Sequence, residues 1–497
     1  MFKNFPGYSL LEKIQKKKSH TRERKLPINA IKLIFIVAIT SVIALLPTES
    51  FGIEGLTVVH QRIISLFVFA ALMWLTEAMP SWVTSMVVVT IMLLTVSTSA
   101  FNFLRPEDGA GLVPFKSIMA CFANPTIMLF IGGFVLAIGL TKVKLDVALA
   151  RVLLKPFGTR SEIVLLGFIL VTAIFSAFVS NTATAAMMLA FLTPVLKSLP
   201  ADGKGRIALA LAIPVGANLG GMITPIGTPP NMIALDYLSS QGMGISFVDW
   251  TIKMAPFVIV LLLLSWLLLR FLFPFKQKHI KIEIEGDIKW NRHTWSVVAA
   301  FVITIFMWMF GTDLWGVDTN VVAMIPIAIF CATGILTRRD LEEINWSVLW
   351  MVAGGFALGV ALNYKDASSV SLSSLIVNTV PFDNFSPLVV MILAGIICFG
   401  FSNFISHSAA TSLLVPVLGV VAGGLGASLD NYGGPQSMLV GIAIASSVSM
   451  ILPISTPPNA IAHSTGFIEQ KDMMKVGIII GIMGLVLGYA MLIFIGF

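Results

Sequence analysis

The stretch FSAFVSNTATAA, residues 175–186, decides how this chain is expected to fold, because it recurs as FSNFISHSAATS at residues 401–412. Both copies read F-S-x-F-[VI]-S. They then diverge: the first continues with Asn181-Thr182 and the second with His407-Ser408. Each copy forms a polar patch in the middle of a long apolar stretch. The same short motif therefore occurs twice, with a histidine in one copy where the other has an asparagine.

The composition is that of a membrane protein. Of the 497 residues, 57% are apolar and 11% are charged, whereas a soluble domain carries about 25% charged residues. Apolar stretches long enough to cross roughly 30 Å of hydrocarbon as helices recur along the chain. We therefore predict an all-α polytopic membrane protein with about 11 transmembrane helices. The expected spans are 30–47, 62–79, 82–99, 126–142, 206–240, 252–273, 293–312, 319–337, 345–363, 437–466 and 475–496.

Several classes of function are not expected from this sequence. The formal charge of +7 comes from lysines and arginines between apolar spans, where such residues face an anionic leaflet. Membrane lipid, rather than nucleic acid, is therefore the expected partner of these residues. The three cysteines lie far apart without metal-ligand spacing. The sequence has no H-E-x-x-H, G-x-S-x-G or nucleotide-binding loop, so an enzyme is not expected.

The two motif-bearing stretches, 162–199 and 385–427, are predicted to be re-entrant helical hairpins. A spanning helix could not bury the Ser-Asn-Thr-Ala-Thr patch in lipid without a large penalty for unsatisfied polar groups. Irregular backbone at membrane depth is tolerated where it is buried in protein or lines a wet cavity. Each stretch is expected to enter the membrane, turn at its polar tip and leave on the side from which it came.

The distribution of positive charge supports this topology. With the N-terminus inside and both hairpins re-entrant, all but five of the 32 lysines and arginines lie in inside segments; the exceptions are Arg62, Arg105, Lys116, Lys253 and Lys365. Such a skew agrees with the positive-inside rule. We expect a multi-pass protein of the plasma (inner) membrane, with a cytoplasmic N-terminus and an extracellular C-terminus.

The repeat extends beyond the hairpins. A Gly-Gly pair precedes each one, in FIGGFVLAIGL (130–140) and MVAGGFALGVAL (351–362), and a proline-broken span follows, in TPIGTPPNMIA (224–234) and LPISTPPNAIA (452–462). An odd number of crossings separates the hairpins, so the second half is predicted to be inverted relative to the first. An inverted repeat with two broken helices is typical of secondary transporters.

The chain is accordingly expected to consist of two repeats with a tail and a linker. A basic tail precedes the first transmembrane helix, and a cytoplasmic linker separates the repeats. The segments are the cytoplasmic tail at 1–29, the first transmembrane helix at 30–47, repeat 1 at 48–275 (hairpin 162–199, broken helix 206–240), the linker at 276–292, and repeat 2 at 293–497 (hairpin 385–427, broken helix 437–466).

The breaks are expected to bind an anion. Pro229-Pro230 and Pro457-Pro458 cannot donate backbone hydrogen bonds, and they disfavour helix in the preceding residue. Each pair therefore splits its span into two half-helices. The free N–H groups and positive dipole end of the second half-helix make a ready anion site.

The same region offers oxygens to a cation. Carbonyls near Gly227 and Ser455, with the hydroxyls of Ser176 and Ser180, suit a small hard cation such as Na⁺. The alternative is that these small polar residues serve only close helix packing. Duplication of the motif, each copy followed by its own break, favours a ligand site.

These features resemble the divalent-anion/sodium symporter (DASS, INDY-like) family of di- and tricarboxylate carriers. The resemblance covers nearly the whole chain after the tail, and it rests on Ser180-Asn181-Thr182, on G-T-P-P-N and S-T-P-P-N, and on their order. It implies that the two tips hold the carboxylates of the substrate, and that the protein is a homodimer with an elevator-type mechanism.

The resemblance also implies a set of site residues. The first sodium site would use Ser176, Ser180, Asn181 and Gly227. The substrate would contact Asn181 and Thr182 on one side and Ser406, Ser408, Thr456 and Pro457 on the other.

His407 departs from the family pattern, which has Ser-Asn-Thr where this chain has Ser-His-Ser. An asparagine oxygen can ligate Na⁺, but a protonated imidazole has only donors, and a bound dianion favours the protonated form. We hypothesise that His407 contacts the substrate and replaces the second Na⁺. A positive charge that stays when the anion leaves disfavours an empty return, so exchange of dicarboxylates of the succinate, malate, fumarate or 2-oxoglutarate type is expected, without Na⁺.

Two alternatives remain at this stage. In a Na⁺-coupled di- or tricarboxylate symporter, His407 would be neutral, and Ser402 or Ser455 would help to hold an ion. An anion channel could also use neutral dipoles and helix ends, although two re-entrant tips favour a single occluded site. Apart from Na⁺, no cofactor is expected.

Overall fold

The polar tips and proline pairs interrupt the helices of the protein where the sequence predicts interruptions. A computed structural model describes residues 29–107, 109–200, 203–280, 290–366 and 370–497. The predicted tail, except for residue 29, and residues 281–289 of the linker lie outside these ranges. Within them the chain is helical, and its only β-type pairings are isolated bridges between Ser97 and Val113 and between Arg160 and His279.

We number the α-helices in chain order. They are α1 Ala30–Leu45, α2 Val58–Thr76, α3 Ser81–Thr95, α4 Phe115–Ala120, α5 Pro125–Lys142, α6 Leu145–Leu154, α7 Ser161–Phe178, α8 Asn181–Ser198, α9 Gly205–Gly220, α10 Pro229–Ser240, α11 Phe247–Leu272, α12 Arg292–Trp315, α13 Thr319–Val322, α14 Met324–Ala332, α15 Arg338–Glu342, α16 Trp346–Asn363, α17 Leu372–Thr379, α18 Pro387–Phe404, α19 His407–Leu425, α20 Gly434–Ser447, α21 Pro457–Ser464 and α22 Gln470–Phe494.

The prediction of an all-helical polytopic membrane protein is confirmed. Within the described ranges, nine helices are both long and apolar enough to cross a bilayer, and further apolar helices are shorter. One expected span, 319–337, is instead split into α13 and α14. Pro326 lies four residues after Val322, where its ring obstructs the carbonyl that would continue the helix.

Each motif forms the turn of a helical hairpin. In the first hairpin, α7–α8, the chain becomes extended at Val179, and the Ser180 hydroxyl accepts a hydrogen bond from Ala183 N at 3.3 Å. In the second, α18–α19, the Ser406 hydroxyl accepts from Ala409 N at 3.2 Å. A serine N-cap therefore starts the second arm in both hairpins.

The first hairpin is packed against the first broken helix through glycines. A Cβ added to Gly216 would lie 2.7 Å from Ile169 O, and one added to Gly220 would lie 2.3 Å from Ala173 Cα. Both distances are too short for any side chain, so α7 and α9 approach closely only because these positions are glycine. The contact holds the first hairpin tip against the first break.

Helices α7–α11 and α18–α22 surround the two breaks, and the remaining long helices pack outside them. Helix α9 contacts α7, α8, α11 and α21, while α20 contacts α10, α18, α19 and α22. Helix α16 packs on α3 and also on α19 of the second hairpin. The two breaks and the two tips are thus gathered into one helical unit.

Candidate functional site

The asparagine of each T-P-P-N motif holds its own break together. Asn231 Nδ2 lies 3.1 Å from Gly221 O and 2.8 Å from Thr224 O. Asn459 Nδ2 lies 2.9 Å from Met450 O and 3.1 Å from Leu452 O. Carbonyls released by the interruption of each helix therefore accept from a side-chain amide, which fixes the shape of the break.

The first tip brings three oxygens together. Ser176 Oγ lies 2.6 Å from Asn181 Oδ1 and 2.7 Å from Ala217 O, and Ser176 is completely buried. The hydroxyl has one hydrogen, so it can donate to only one of these two oxygens at a time. Neutral oxygens converging in this way fit a hard cation.

Two glycines make this arrangement possible. A Cβ on Gly221 would lie 2.6 Å from Asn181 Oδ1, and a Cβ on Gly227 would lie 2.4 Å from Gly221 O. The backbone of the break therefore closes onto the tip at a distance that excludes any side chain. Gly227 was predicted as a ligand residue, and the structure shows that its close approach to Gly221 depends on its lacking a Cβ.

The second tip has a nitrogen where the first has an oxygen. His407 Nε2 lies 2.5 Å from Ser449 O. A carbonyl only accepts, so Nε2 must carry a hydrogen and donate it. Relative to the T-P-P-N motif, Ser449 stands where Gly221 stands in the first repeat. The imidazole of His407 therefore faces the second break as the Asn181 amide faces the first.

The serine hydroxyls near the second tip form hydrogen bonds with other oxygens rather than with the imidazole ring. Ser402 Oγ lies 3.3 Å from Ser446 Oγ, and the Ser446 hydroxyl donates to His407 O at 2.9 Å. The Ser455 hydroxyl donates to Leu452 O at 2.7 Å. The Ser449 hydroxyl, which is completely buried, lies 3.0 Å from Phe399 O and 2.8 Å from Ala445 O, so a hydroxyl and two carbonyl oxygens also meet near the second tip.

The structure brings together part of the predicted set. Ser176, Asn181 and Gly227 lie around the first break. Ser180 and Ser406 are helix caps, each with its hydroxyl oxygen already accepting a backbone N–H. If either hydroxyl oxygen bound a ligand, it would do so in competition with its hydrogen bond to the helix N-terminus.

The remaining predicted residues differ in exposure. Thr182 and Pro457 are exposed, whereas Ser408 and Thr456 are buried. Thr456 caps α21 by accepting from Asn459 N at 3.2 Å. The exposed pair lies at the starts of α8 and α21, where free N–H groups can meet an anion.

One residue that joins the two repeats was missed from the sequence. Asn218, in the last turn of α9, donates to Thr456 Oγ1 at 3.2 Å and to Asn459 Oδ1 at 3.1 Å. The signal that could have found it is a single asparagine in the otherwise small and apolar run PVGANLGG. Intramembrane polar residues usually have a partner, but the sequence does not say which.

The site has no cluster typical of a transition metal. In the part of the chain that the structure describes, no group of three or more His, Cys, Asp or Glu side chains is placed to hold a metal ion. The neutral oxygens at the first tip are instead of the type that hard cations prefer.

These features define a class of protein: a polytopic helical membrane transporter with two hairpin tips facing two broken helices. The family model for the sodium:sulfate symporter transmembrane region matches residues 28–496. The chain belongs to this family, which confirms the resemblance to divalent-anion/sodium symporters, and it is a transporter and not an enzyme.

Curated relatives extend along most of the chain. An uncharacterized transporter of Haemophilus influenzae is 31% identical over 84% of this chain and 88% of its own length. The sodium-dependent dicarboxylate transporter SdcS of Staphylococcus saprophyticus is 28% identical over 85% of this chain and 84% of its own length. The inorganic phosphate transporter PHO87 of Saccharomyces cerevisiae is 28% identical over 94% of this chain, which spans only 49% of that relative.

A solved structure shares the fold. The YdaH transporter of Alcanivorax borkumensis, described as having an unusual topology, superposes with a TM-score of 0.53 over 86% of this chain and 97% of its own. At 13% identity this likeness concerns the fold alone.

Proposed function

We propose that the protein is a secondary carrier that exchanges small dicarboxylates across the plasma membrane without Na⁺. The observation that carries this proposal is the contact between His407 Nε2 and Ser449 O at 2.5 Å. It puts a ring nitrogen that donates a hydrogen beside the second break, where a carbonyl would otherwise be free to ligate a cation. The name of the staphylococcal relatives supports dicarboxylates as the substrate class.

The substrate is proposed to lie between the two tips. One carboxylate would meet Asn181 and Thr182, and the other would meet Ser406, Ser408 and the start of α21 at Thr456-Pro457. Neutral hydroxyls, amides and helix N-termini bind a carboxylate without leaving a fixed charge behind. His407 adds the one group among these residues that can become positive.

His407 would act through its second nitrogen. The bond to Ser449 O needs only the hydrogen on Nε2, so it is compatible with both the neutral and the charged ring. A bound dianion favours addition of a proton at Nδ1. For as long as the ring keeps this proton after the substrate has left, the empty carrier holds an uncompensated charge, and its return has a cost that a second anion removes. Because the loaded carrier returns more easily than the empty one, the protein is expected to exchange one anion for another.

The mechanism and assembly are proposed from the same framework. The unit formed by α7–α11 and α18–α22 would move against the other helices, in an elevator-type alternation, within a homodimer. The second repeat would be inverted, with the N-terminus cytoplasmic and the C-terminus extracellular. These proposals extend the family resemblance to the two groups of helices described above.

Uptake of labelled succinate into proteoliposomes tests the proposal. Na⁺ inside and outside, and unlabelled succinate inside, are varied independently, with sulfate and phosphate included as competing anions. Exchange predicts uptake that requires internal dicarboxylate and is unchanged when Na⁺ is replaced by choline. Uptake into empty vesicles, driven only by an inward Na⁺ gradient, would overturn it.

A second candidate, Na⁺-coupled symport, is favoured by one observation. The three oxygens of Ser176, Asn181 and Ala217 form a neutral cluster that suits Na⁺. If this cluster binds a co-transported ion, succinate uptake will saturate with external Na⁺, and Ser176→Ala will remove that dependence. His407 would then be a neutral hydrogen-bond donor.

A further inference from the structure

Asn218 connects the first broken helix to the second break. It is 2% exposed, and its Nδ2 lies 3.2 Å from Thr456 Oγ1 and 3.1 Å from Asn459 Oδ1. Its neighbour Ala217 supplies a carbonyl to the oxygen cluster of the first tip. One buried amide therefore joins the two halves of the site.

The orientation of the Asn459 amide is fixed without Asn218. Asn459 Nδ2 lies within hydrogen-bond distance of Met450 O and Leu452 O. Carbonyls only accept, so this edge of the amide must be the NH₂ group. The oxygen of Asn459 must then face Asn218.

The orientation of Asn218 follows from that of Asn459. An oxygen facing Asn218 requires a donor, so Asn218 must present its own NH₂ group. The second hydrogen of that group is directed to Thr456 Oγ1. Because the backbone N–H of Asn459 donates to the same hydroxyl oxygen at 3.2 Å, Thr456 Oγ1 accepts two hydrogen bonds. That fills its acceptor capacity.

The hydroxyl hydrogen of Thr456 has no partner among the described residues. Thr456 Oγ1 occurs only as an acceptor in the hydrogen bonds that the described residues make. Pro457, the next residue, is exposed. A hydroxyl whose oxygen already accepts two hydrogen bonds can interact further only by donating, so an incoming ligand must supply an acceptor.

At the first break, the described residues include no threonine that is held by an asparagine in this way. Thr228, which precedes α10, accepts no backbone N–H with its side chain. The Asn231 oxygen, corresponding to the oxygen that faces Asn218, is buried without a partner among the described residues. Relative to the T-P-P-N motif, Ser446 stands in the place of Asn218, and its hydroxyl donates to His407 O. Among the described residues, the threonine of the second break is held by an asparagine in this way and the threonine of the first break is not.

We propose that Asn218 is a positioning residue that fixes the Thr456 hydroxyl as a donor and thereby selects an anion at the second break. The ligand class is a small oxyanion with an unprotonated oxygen, such as a carboxylate, sulfate or phosphate group. The inference rests on the proposed function, because it explains how one end of the proposed substrate is recognised.

A double-mutant cycle between Asn218 and Thr456 tests the inference. Asn218→Ala releases the hydroxyl, and the KM for succinate is expected to rise about tenfold, as for loss of a hydrogen bond to a charged group. Thr456→Val is expected to raise KM at least as much. In the Thr456→Val background, Asn218→Ala should change KM by less than about twofold, because no hydroxyl remains to be oriented.

Two further backgrounds separate positioning from a structural role. Thr456→Ser keeps the hydroxyl, so Asn218→Ala should again raise KM about tenfold in it. Thr228→Val removes the corresponding hydroxyl of the first break, and the effect of Asn218→Ala should persist there in full. If Asn218→Ala does not assemble in the membrane, Asn218→Ser, which retains a polar group, replaces it in the same cycle.

The results distinguish this inference from the proposed function. The cycle uses whichever of succinate, sulfate and phosphate the wild-type protein takes up, since each presents acceptor oxygens. Absence of succinate uptake by the wild type counts against the proposed function alone. An Asn218→Ala effect that is equal with and without the Thr456 hydroxyl, or an unchanged KM, would overturn the positioning role.

Discussion

The two hairpin tips have the same backbone conformation, an extended residue followed by a serine N-cap, but they differ in the side chains that face their breaks. At the first tip, the Ser176 hydroxyl lies within hydrogen-bond distance of two oxygens, Asn181 Oδ1 and Ala217 O, and has one hydrogen to donate. At the second tip an imidazole nitrogen donates directly to the backbone carbonyl of Ser449. Under the proposed function, the histidine in the second copy of the duplicated element changes the preferred occupant of that tip from a cation to a proton.

The largest effect is expected where the first break closes onto its tip. Gly227→Ala would place a Cβ 2.4 Å from Gly221 O, so the break must move away from Asn181. A displacement of about 1 Å in a site can cost about 100-fold in activity. The rate of succinate uptake should fall by about this factor. Gly400→Ala, in α18, is the matched control, because its Cβ would meet nothing within 4 Å. Equal activity of the two variants would show that the close approach is dispensable.

The substitution His407→Asn should produce the next largest effect. His407→Asn gives the second tip the Ser-Asn-Ser sequence and removes the protonatable group. Exchange without Na⁺ is expected to fall about tenfold, the effect of losing a hydrogen bond to a charged group, and part of it should return when Na⁺ is added. Counterflow of labelled succinate measures both.

The control for this variant lies on the other side of the second break. His463→Asn changes a histidine in the last turn of α21, outside the proposed set of site residues, and should leave exchange intact. Na⁺-independent exchange at the wild-type rate in His407→Asn would end the case for His407 as a substitute for sodium.

A smaller difference should separate the two equivalent serines. Ser176→Ala removes the hydroxyl between Asn181 Oδ1 and Ala217 O, whereas Ser402→Ala removes a weaker contact of 3.3 Å to Ser446 Oγ. The loss in stability should be about 1–3 kcal/mol at Ser176 and below about 1 kcal/mol at Ser402. Thermal unfolding in NaCl and in choline chloride compares them.

The effect of Na⁺ on thermal stability should also differ between the two serine variants. If Na⁺ binds at the first tip, it should stabilise the wild type and Ser402→Ala, but not Ser176→Ala. Stabilisation of all three proteins to the same degree would place the ion elsewhere.

The sequence was sufficient to predict the interrupted elements. Pro229-Pro230 and Pro457-Pro458 end helices by the loss of donors and by steric conflict, which are local effects that act in any fold. The polar tips were predictable because hydrocarbon does not tolerate them. The start of α2 was placed too late, at 62 rather than Val58. Its N-cap is a Thr57–His60 box, and that differs from the usual Ser/Thr-x-x-Glu signal.

The contacts across the site were not predictable in this way. Nothing in the sequence indicates that Asn218 reaches Thr456, because the two residues belong to different repeats and meet only through tertiary packing. The capping roles of Ser180 and Ser406 were also missed as competitors of ligand binding. The split of α13 from α14 depends on Pro326, whose effect within an apolar span varies with its neighbours.

Under the proposed exchange of dicarboxylates, the position of His407 has an electrical consequence. A charge borne by a side chain travels with the carrier in both directions, so exchange of one dianion for another moves no net charge. Each elementary charge crossing the bilayer otherwise gains or loses about 2.3 kcal/mol per 100 mV. A carrier of this kind is therefore indifferent to membrane voltage, and the direction of flux is set only by the ratio of the two anions on each side.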